Sequence, residues 1–309
     1  MPRLAIWAVV LLAACAARVA ASAPSYVVEI DLSREIGALG SDDPFVSEPA
    51  VEHLVALGPA TLPALAAALR QEPPEVRAGV VDVVRQFEDP AAVALLVEAA
   101  GDRDASVRAA ALIALGLGRD TAGRAVVEAA LRDPDPRARR SAMLACATLC
   151  ASPEAFTRLT ELALGGGEGA HARQSLMTAV ADPDPARGAR ARAAIAAQAL
   201  PALTSPEPAR RIDAALTAAL IGDPRVVPLL ADAMRQGTPA VAPQAALALG
   251  GVPTPEAVAV LADAARGAEP GVANAACVSL HRLQETMPSA GDALAACRTT
   301  GTPTTKENR

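Results

Sequence analysis

Aromatic residues are scarce in this chain, making up 2% of its 309 positions. The one Trp, Trp7, lies in an apolar run at the N-terminus; beyond it the aromatics are Tyr26, Phe45, Phe87 and Phe156. Strands favour aromatic and β-branched residues and helices favour Ala and Leu, so an Ala-dominated chain of this kind argues against a β-sheet protein. Lysine is nearly missing too: Lys306 is the only one, and the remaining positive charge is arginine. A net charge of −6 speaks against a general nucleic-acid binder, whose affinity comes mainly from neutralising phosphates. Catalytic patterns are lacking. There is no Gly-x-Ser-x-Gly and no plausible Cys-His-Asp set, and the Gly165–Gly169 run lacks the Lys-Ser/Thr of a phosphate loop. His53, His171 and His281 are far apart and have no ligand spacing. Neither a catalytic residue nor a metal or cofactor site is expected, and no small-molecule substrate.

What the chain does have is a helix-start signal that keeps returning. Asp89-Pro90, Asp120-Thr121, Ser152-Pro153, Asp184-Pro185, Asp223-Pro224 and Thr254-Pro255 each pair a good N-cap with a good first-turn residue. The steps between them are 31, 32, 32, 39 and 31 residues, a period that implies a stacked repeat array. Each period holds two helices. The first carries apolar residues four and seven positions after the cap, as at Phe156 and Leu159 or Val258 and Leu261, with Arg124 and Gly188 as exceptions. The second carries an arginine near its start, at Arg77, Arg108, Arg139, Arg173 and Arg210, which is lost at Ala242 and Ala273.

These residues resemble HEAT repeats, specifically the short bacterial type seen also in phycobilisome-lyase-like proteins. The resemblance is carried by Asp102 to Arg108, by Asp133-Pro134-Asp135-Pro136 before Arg139, and by Leu57-Gly58-Pro59-Ala60 with Leu62-Pro63-Ala64-Leu65. It implies an all-α fold, a right-handed α-solenoid of about seven to eight helix pairs over residues 32–285. Around it are expected a signal at 1–23, a short segment at 24–31, a capping helix at 286–298 opened by Ser289 with Asp292 as a capping box, and a tail at 299–309. The chain departs from the family pattern between Asp184 and Ser205, where the first helix of its pair is longer by about seven residues.

The resemblance also implies roles. The arginine series would form a ladder along the inter-helix turns, with Asp104 and Asp135 as acceptors. The second helices would line the concave side, which makes Arg140, Gln174 and Arg211, with Leu112 and Met143 one turn on, the candidate contacts for a protein partner. Further arginines, Arg137, Arg187, Arg190 and Arg192, cluster midway and read as a solvated face. HEAT-like di-iron hydroxylases use repeated His-Glu pairs, whereas here Glu52-His53 is reversed and single. The leading expectation is a non-enzymatic protein-binding scaffold. The alternative is a lyase acting on a tetrapyrrole or related ligand, which would need a pocket with a positioned acid or thiol.

Arg3 followed by the apolar run Leu4 to Leu12 reads as an export signal, too short for an ordinary transmembrane helix. Its end, Leu12-Ala13-Ala14-Cys15, resembles a bacterial lipobox, with Cys15 as the lipidated residue; cleavage near Ala20 to Ala23 is the other option. Either would place the chain in the periplasm or anchored at the outer membrane, with no other membrane contact. Export permits disulfides. Cys277 and Cys297 lie symmetrically about Met287, so an antiparallel helix pair would bring their thiols together. Cys146 and Cys150, one turn apart, are expected as buried small apolar residues.

Overall fold

The helices begin where short polar side chains meet proline. Asp43, Asp89, Asp104, Asp120, Asp135, Asp184 and Asp223 each accept a hydrogen bond from the backbone amide two residues on. Proline takes the first helical position at Pro44, Pro90, Pro136, Pro185 and Pro270 among others, where its missing N–H loses no bond. In the computed structural model, residues 32–267 and 269–298 are described. The chain divides into two units, Met1–Arg34 and Glu35–Arg309, and the helical array belongs to the second. The export run, Cys15, the segment 24–31 and the tail 299–309 lie outside the described residues.

Helices follow one another in pairs: α1 Ser33–Ala38 with α2 Pro44–Leu57, α3 Leu62–Gln71 with α4 Pro74–Val84, α5 Pro90–Ala99 with α6 Ala105–Gly118, and α7 Arg124–Ala130 with α8 Pro136–Leu149. The series continues as α9 Pro153–Ala163 with α10 Gly169–Val180, α11 Pro185–Ala202 with α12 Pro208–Ala218, α13 Val227–Gln236 with α14 Ala242–Leu249, and α15 Pro255–Ala265 with α16 Pro270–Leu283. A short helix, α17 Pro288–Ala293, continues into a 3-10 turn, Leu294–Arg298. Its opening is not the Ser289–Asp292 box expected from the sequence. Met287 is the N-cap, with no side-chain bond, and Pro288 supplies the first-turn φ. No strand occurs among the described residues. The stretch Pro44–Gln71 is apolar enough to cross a membrane by composition. Gly58, at φ 75°, interrupts it, and Leu54, Leu65 and Leu69 are buried in the array.

Each first helix buries the stripe read from the sequence, with Leu96, Val127, Phe156, Leu159, Leu230 and Leu261 all buried. Successive second helices pack directly on one another: α4 on α6, α6 on α8, α8 on α10, and α14 on α16. Small residues let these backbones approach. A Cβ placed on Gly116 would stand 2.7 Å from the Ala145 Cα. The Thr148 hydroxyl donates to the Gly116 carbonyl at 3.1 Å, Ser279 donates to the Ala246 carbonyl at 2.8 Å, and Ser175 donates to the Met143 carbonyl. Between α10 and α12 this direct stacking lapses. There α11, 18 residues long, packs on α9 and carries the seven-residue extension, and the second-helix layer opens into a cleft.

Candidate functional site

Two features recur with the repeat, a polar ladder in the turns and an apolar ridge on the second helices. In the ladder, Arg77 donates through Nε and Nη2 to the two carboxylate oxygens of Asp102 at 2.8 and 2.7 Å, and through Nη1 to the Glu72 carbonyl. Arg108 repeats this with Asp133 and its own turn carbonyls, of Asp102 and Arg103. Arg139 reaches Glu168 at 2.6 Å, and Arg173 reaches Asp213 at 3.1 Å. The Glu168 Oε1 atom is buried without a partner among the described residues. These are charge-assisted contacts from one pair to the next.

Two sequence expectations are corrected here. The acceptors are Asp102 and Asp133, not Asp104 and Asp135. In each Asp-x-Asp turn the first carboxylate takes the arginine and the next-but-one amide, while the second caps the helix. Arg211, not Arg210, holds the ladder register: its Nη1 donates to the Ser205 and Pro206 carbonyls, six and five residues back, as Arg108 and Arg139 do in their own turns. Glu207 with Pro208 opens that helix, so the fourth helical residue is Arg211. No carboxylate meets Arg211 among the described residues.

The carboxyl groups feel the ladder. The hydrogen bond from Arg108 holds Asp133 below the usual aspartate range. For Asp102 burial pushes upward, but the Arg77 guanidinium and the Asp104 amide outweigh it, and the net shift is downward.

The ridge lies nine residues past the N-cap of α6, α8, α10, α12 and α16, and six past Val241, the N-cap of α14; in α2 and α4 the ninth position is Glu52 and Asp82 instead. Ile113, Leu144, Met177, Leu247 and Val278 form the ridge in α6, α8, α10, α14 and α16, and all are exposed, by 39 to 61%. The sixth, Leu216 in α12, is 5% exposed and lies on the floor of the cleft. Ridge intervals are 31, 33, 39, 31 and 31 residues, the period of the repeat itself. Leu117, one turn beyond Ile113, is also exposed. The expected contacts Leu112 and Met143 are instead wholly buried, because the solvent-facing position is the next residue round the helix. Arg140 and Gln174 do lie on the open face, one turn before Leu144 and Met177.

The cleft beside α10 has two lobes. One, of about 420 Å³, is lined by Arg173, Gln174, Met177, Leu216, Leu247 and Arg282 among others. The other, of about 670 Å³, is lined by Arg119, Thr148, Met177, Thr178, Asp182 and Arg282. Arg282 comes from α16 and Arg119 follows α6, so the second-helix layer curves until these positions share one cavity.

Sequence reading missed the role of Arg187. Far from a solvated face, it is 5% exposed. It donates to the carbonyls of Cys150 at 2.7 Å, Cys146 at 2.9 Å and Ala147 at 2.8 Å, pairs with Asp182, and lies 5.8 Å over the Phe156 ring. It therefore closes the carbonyl end of α8, where the helix dipole favours a cation. The signal was the Arg at a position where other repeats carry small or apolar residues. Cys146 and Cys150 are buried, as read from the sequence, yet they are joined to each other rather than free, with Cα atoms 4.5 Å apart. Cys277 is joined to Cys297, Cα atoms 5.8 Å apart, tying α16 to the terminal turn. His53 stands near Glu35, and no metal-ligating group of three or more occurs among the described residues.

A family model for HEAT repeats matches residues 36–116, 93–177 and 196–281. Among solved structures, yeast importin-β (Kap95p) aligns with a TM-score of 0.63 at 14% identity, covering 85% of this chain and 41% of that one. The same protein in its RanGDP study gives 0.60 at 13%, covering 82% and 40%. Escherichia coli YibA gives 0.53 at 15%, covering 82% of this chain and 92% of that one. The chain thus spans about two fifths of importin-β. Curated protein sequences give no match. With paired helices stacked at a regular period and a family match over most of its length, this chain belongs to the HEAT-repeat proteins.

Proposed function

We propose that this chain is a non-enzymatic scaffold of the bacterial cell envelope that binds a protein partner along its second-helix face. The observation that carries the reading is the ridge Ile113, Leu144, Met177, Leu247 and Val278, large apolar side chains held in solvent at the repeat period. A lone exposed apolar residue needs no explanation, but an aligned series marks an interaction surface. The ladder and the buried stripes hold the helices in register and so fix the spacing of the ridge. Kap95p, a solenoid of similar fold, is named with RanGDP and with Nup1 as bound partners. The envelope part rests on Arg3, the run Leu4 to Leu12 and the lipobox-like Leu12-Ala13-Ala14-Cys15.

Photo-crosslinking residues placed at Leu144 and Val278 in living cells test the binding face, with Glu256 on a first helix as the control position. The reading predicts one identified partner captured at both ridge sites and not at Glu256. Equal capture everywhere, or none at the ridge, rejects it. Mass spectrometry of the mature N-terminus, from envelope and cytoplasmic fractions, tests the location: an uncleaved cytoplasmic chain rejects it.

A further inference from the structure

The cleft opened by α11 differs from the rest of the ridge in charge as well as depth. Its floor is apolar, formed by Met177, Leu216 and Leu247. Arg282 lines both lobes and Arg119 lines one; both are exposed, and neither has a partner among the described residues. Arg140, exposed and unpartnered, lies one turn before Leu144 on the neighbouring helix. The carboxylates nearby are already engaged: Asp182 with Arg187, and Asp213 with Arg173. The cleft therefore offers positive charge and no free negative charge. Arg119 is also the left-handed cap that ends α6. It is the only non-glycine with positive φ among the described residues, at 55°, a conformation that costs roughly 1–2 kcal/mol. Ending the helix there leaves the Arg119 side chain on the wall of the cleft.

We propose that the cleft between α10 and α12 takes an acidic, aliphatic peptide segment of the partner protein. Its aliphatic side chains rest on Met177, Leu216 and Leu247, and its carboxylates meet Arg282 and Arg119. The inference rests on the scaffold reading and adds the chemistry of the partner. Planar guanidinium groups suit carboxylates, and the apolar floor rewards a Leu- or Ile-sized side chain over a polar one.

The test is fluorescence anisotropy with three labelled synthetic peptides: alternating Leu and Glu, alternating Leu and Lys, and alternating Ser and Glu. The Leu/Glu peptide binds the full chain, and about tenfold more tightly than either control, with affinity falling as salt rises. Arg119→Glu with Arg282→Glu lowers Leu/Glu binding about tenfold and raises Leu/Lys binding, while the exposed Arg132→Glu leaves both unchanged. Circular dichroism confirms that each variant retains the helical array. Equal or tighter binding of the Leu/Lys peptide, or a Leu/Glu affinity indifferent to the double variant, overturns the proposal. The two readings fail separately. A partner captured at Leu144 and Val278 through a basic segment would leave the scaffold standing and remove the acidic ligand. Leu/Glu binding without any capture at the ridge would do the reverse.

Discussion

The Arg108 guanidinium lies end-on against the Asp133 carboxylate, with Nε and Nη2 each 2.8 Å from a separate oxygen, across 25 residues of sequence. Arg70 and Glu98 make the same two-bond contact, also at 2.8 Å. Burial is what separates them: the side chains are 15% and 9% exposed in the first pair, 60% and 43% in the second. Asp133→Asn, which leaves a half-buried guanidinium incompletely paired, should cost about 2–3 kcal/mol. Glu98→Gln should cost nothing measurable, because water screens that pair. Thermal melts of the two variants decide it; equal losses would contradict the role given to burial.

Acid should dissolve the ladder. Asp133 is held low by the Arg108 hydrogen bond, and Asp102 is held low on balance by Arg77 and the Asp104 amide against the upward push of burial. A carboxyl depressed in the folded state stabilises above its unfolded value of about 3.9, and that contribution fades as pH falls through the lower folded value. Stability should thus fall below about pH 4. The Asp102→Asn, Asp133→Asn double variant should begin less stable and lose less on acidification. Circular dichroism melts over an acid series would show a parallel decline if the ladder were not responsible.

Gly116→Ala sets helix propensity against packing. Alanine in a helix interior gains about 1 kcal/mol over glycine. The new Cβ would meet the Ala145 Cα at 2.7 Å, a backbone atom that cannot step aside cheaply. Overpacking of this sort costs about 1–3 kcal/mol, so the variant should be destabilised. A raised melting temperature would mean that α6 and α8 part more readily than their contact implies.

Arg187→Lys should fail to restore what Arg187→Met loses. The guanidinium reaches three carbonyls at the end of α8, the Asp182 carboxylate and the face of Phe156 at once. An ammonium cannot spread over that set. Both variants should lose roughly 2–4 kcal/mol, and amide exchange should quicken at Leu149 and Cys150 first. Full stability in the lysine variant would reduce the site to a simple charge contact.

Much of the architecture was legible because its signals are local. Asp-Pro caps and four- and seven-residue apolar spacing depend only on neighbours along one helix, and from α5 to α15 the six caps fall where the period placed them, although Asp120 and Asp223 open a 3-10 turn ahead of α7 and α13. What escaped the sequence depends on rotation and on distance. Leu112 and Ile113 are adjacent and both apolar, and composition cannot tell which faces water; a turn of one residue moved the candidate face from Leu112 and Met143 to Ile113 and Leu144. The same one-residue ambiguity misplaced Arg210 for Arg211, since both follow Glu207-Pro208 closely. Arg187 stood out only as an arginine where other repeats carry small or apolar residues; its role was not legible, because the carbonyls it binds lie 37 to 41 residues away.

The ladder stops at Arg211, with Ala242 and Ala273 in the following two positions. Adjoining hairpins from α4 through α12 are thus riveted by guanidinium and carboxylate, whereas among the described residues those beyond α12 hold by apolar packing and the Ser279–Ala246 hydrogen bond, with no ion pair between them, until the Cys277–Cys297 tether. In a stack whose strength is a chain of neighbour-to-neighbour bonds, such a gradient makes one end stiff and the other compliant. The α10–α12 cleft falls on the stiff side of that boundary, since Arg173 and Asp213 span it.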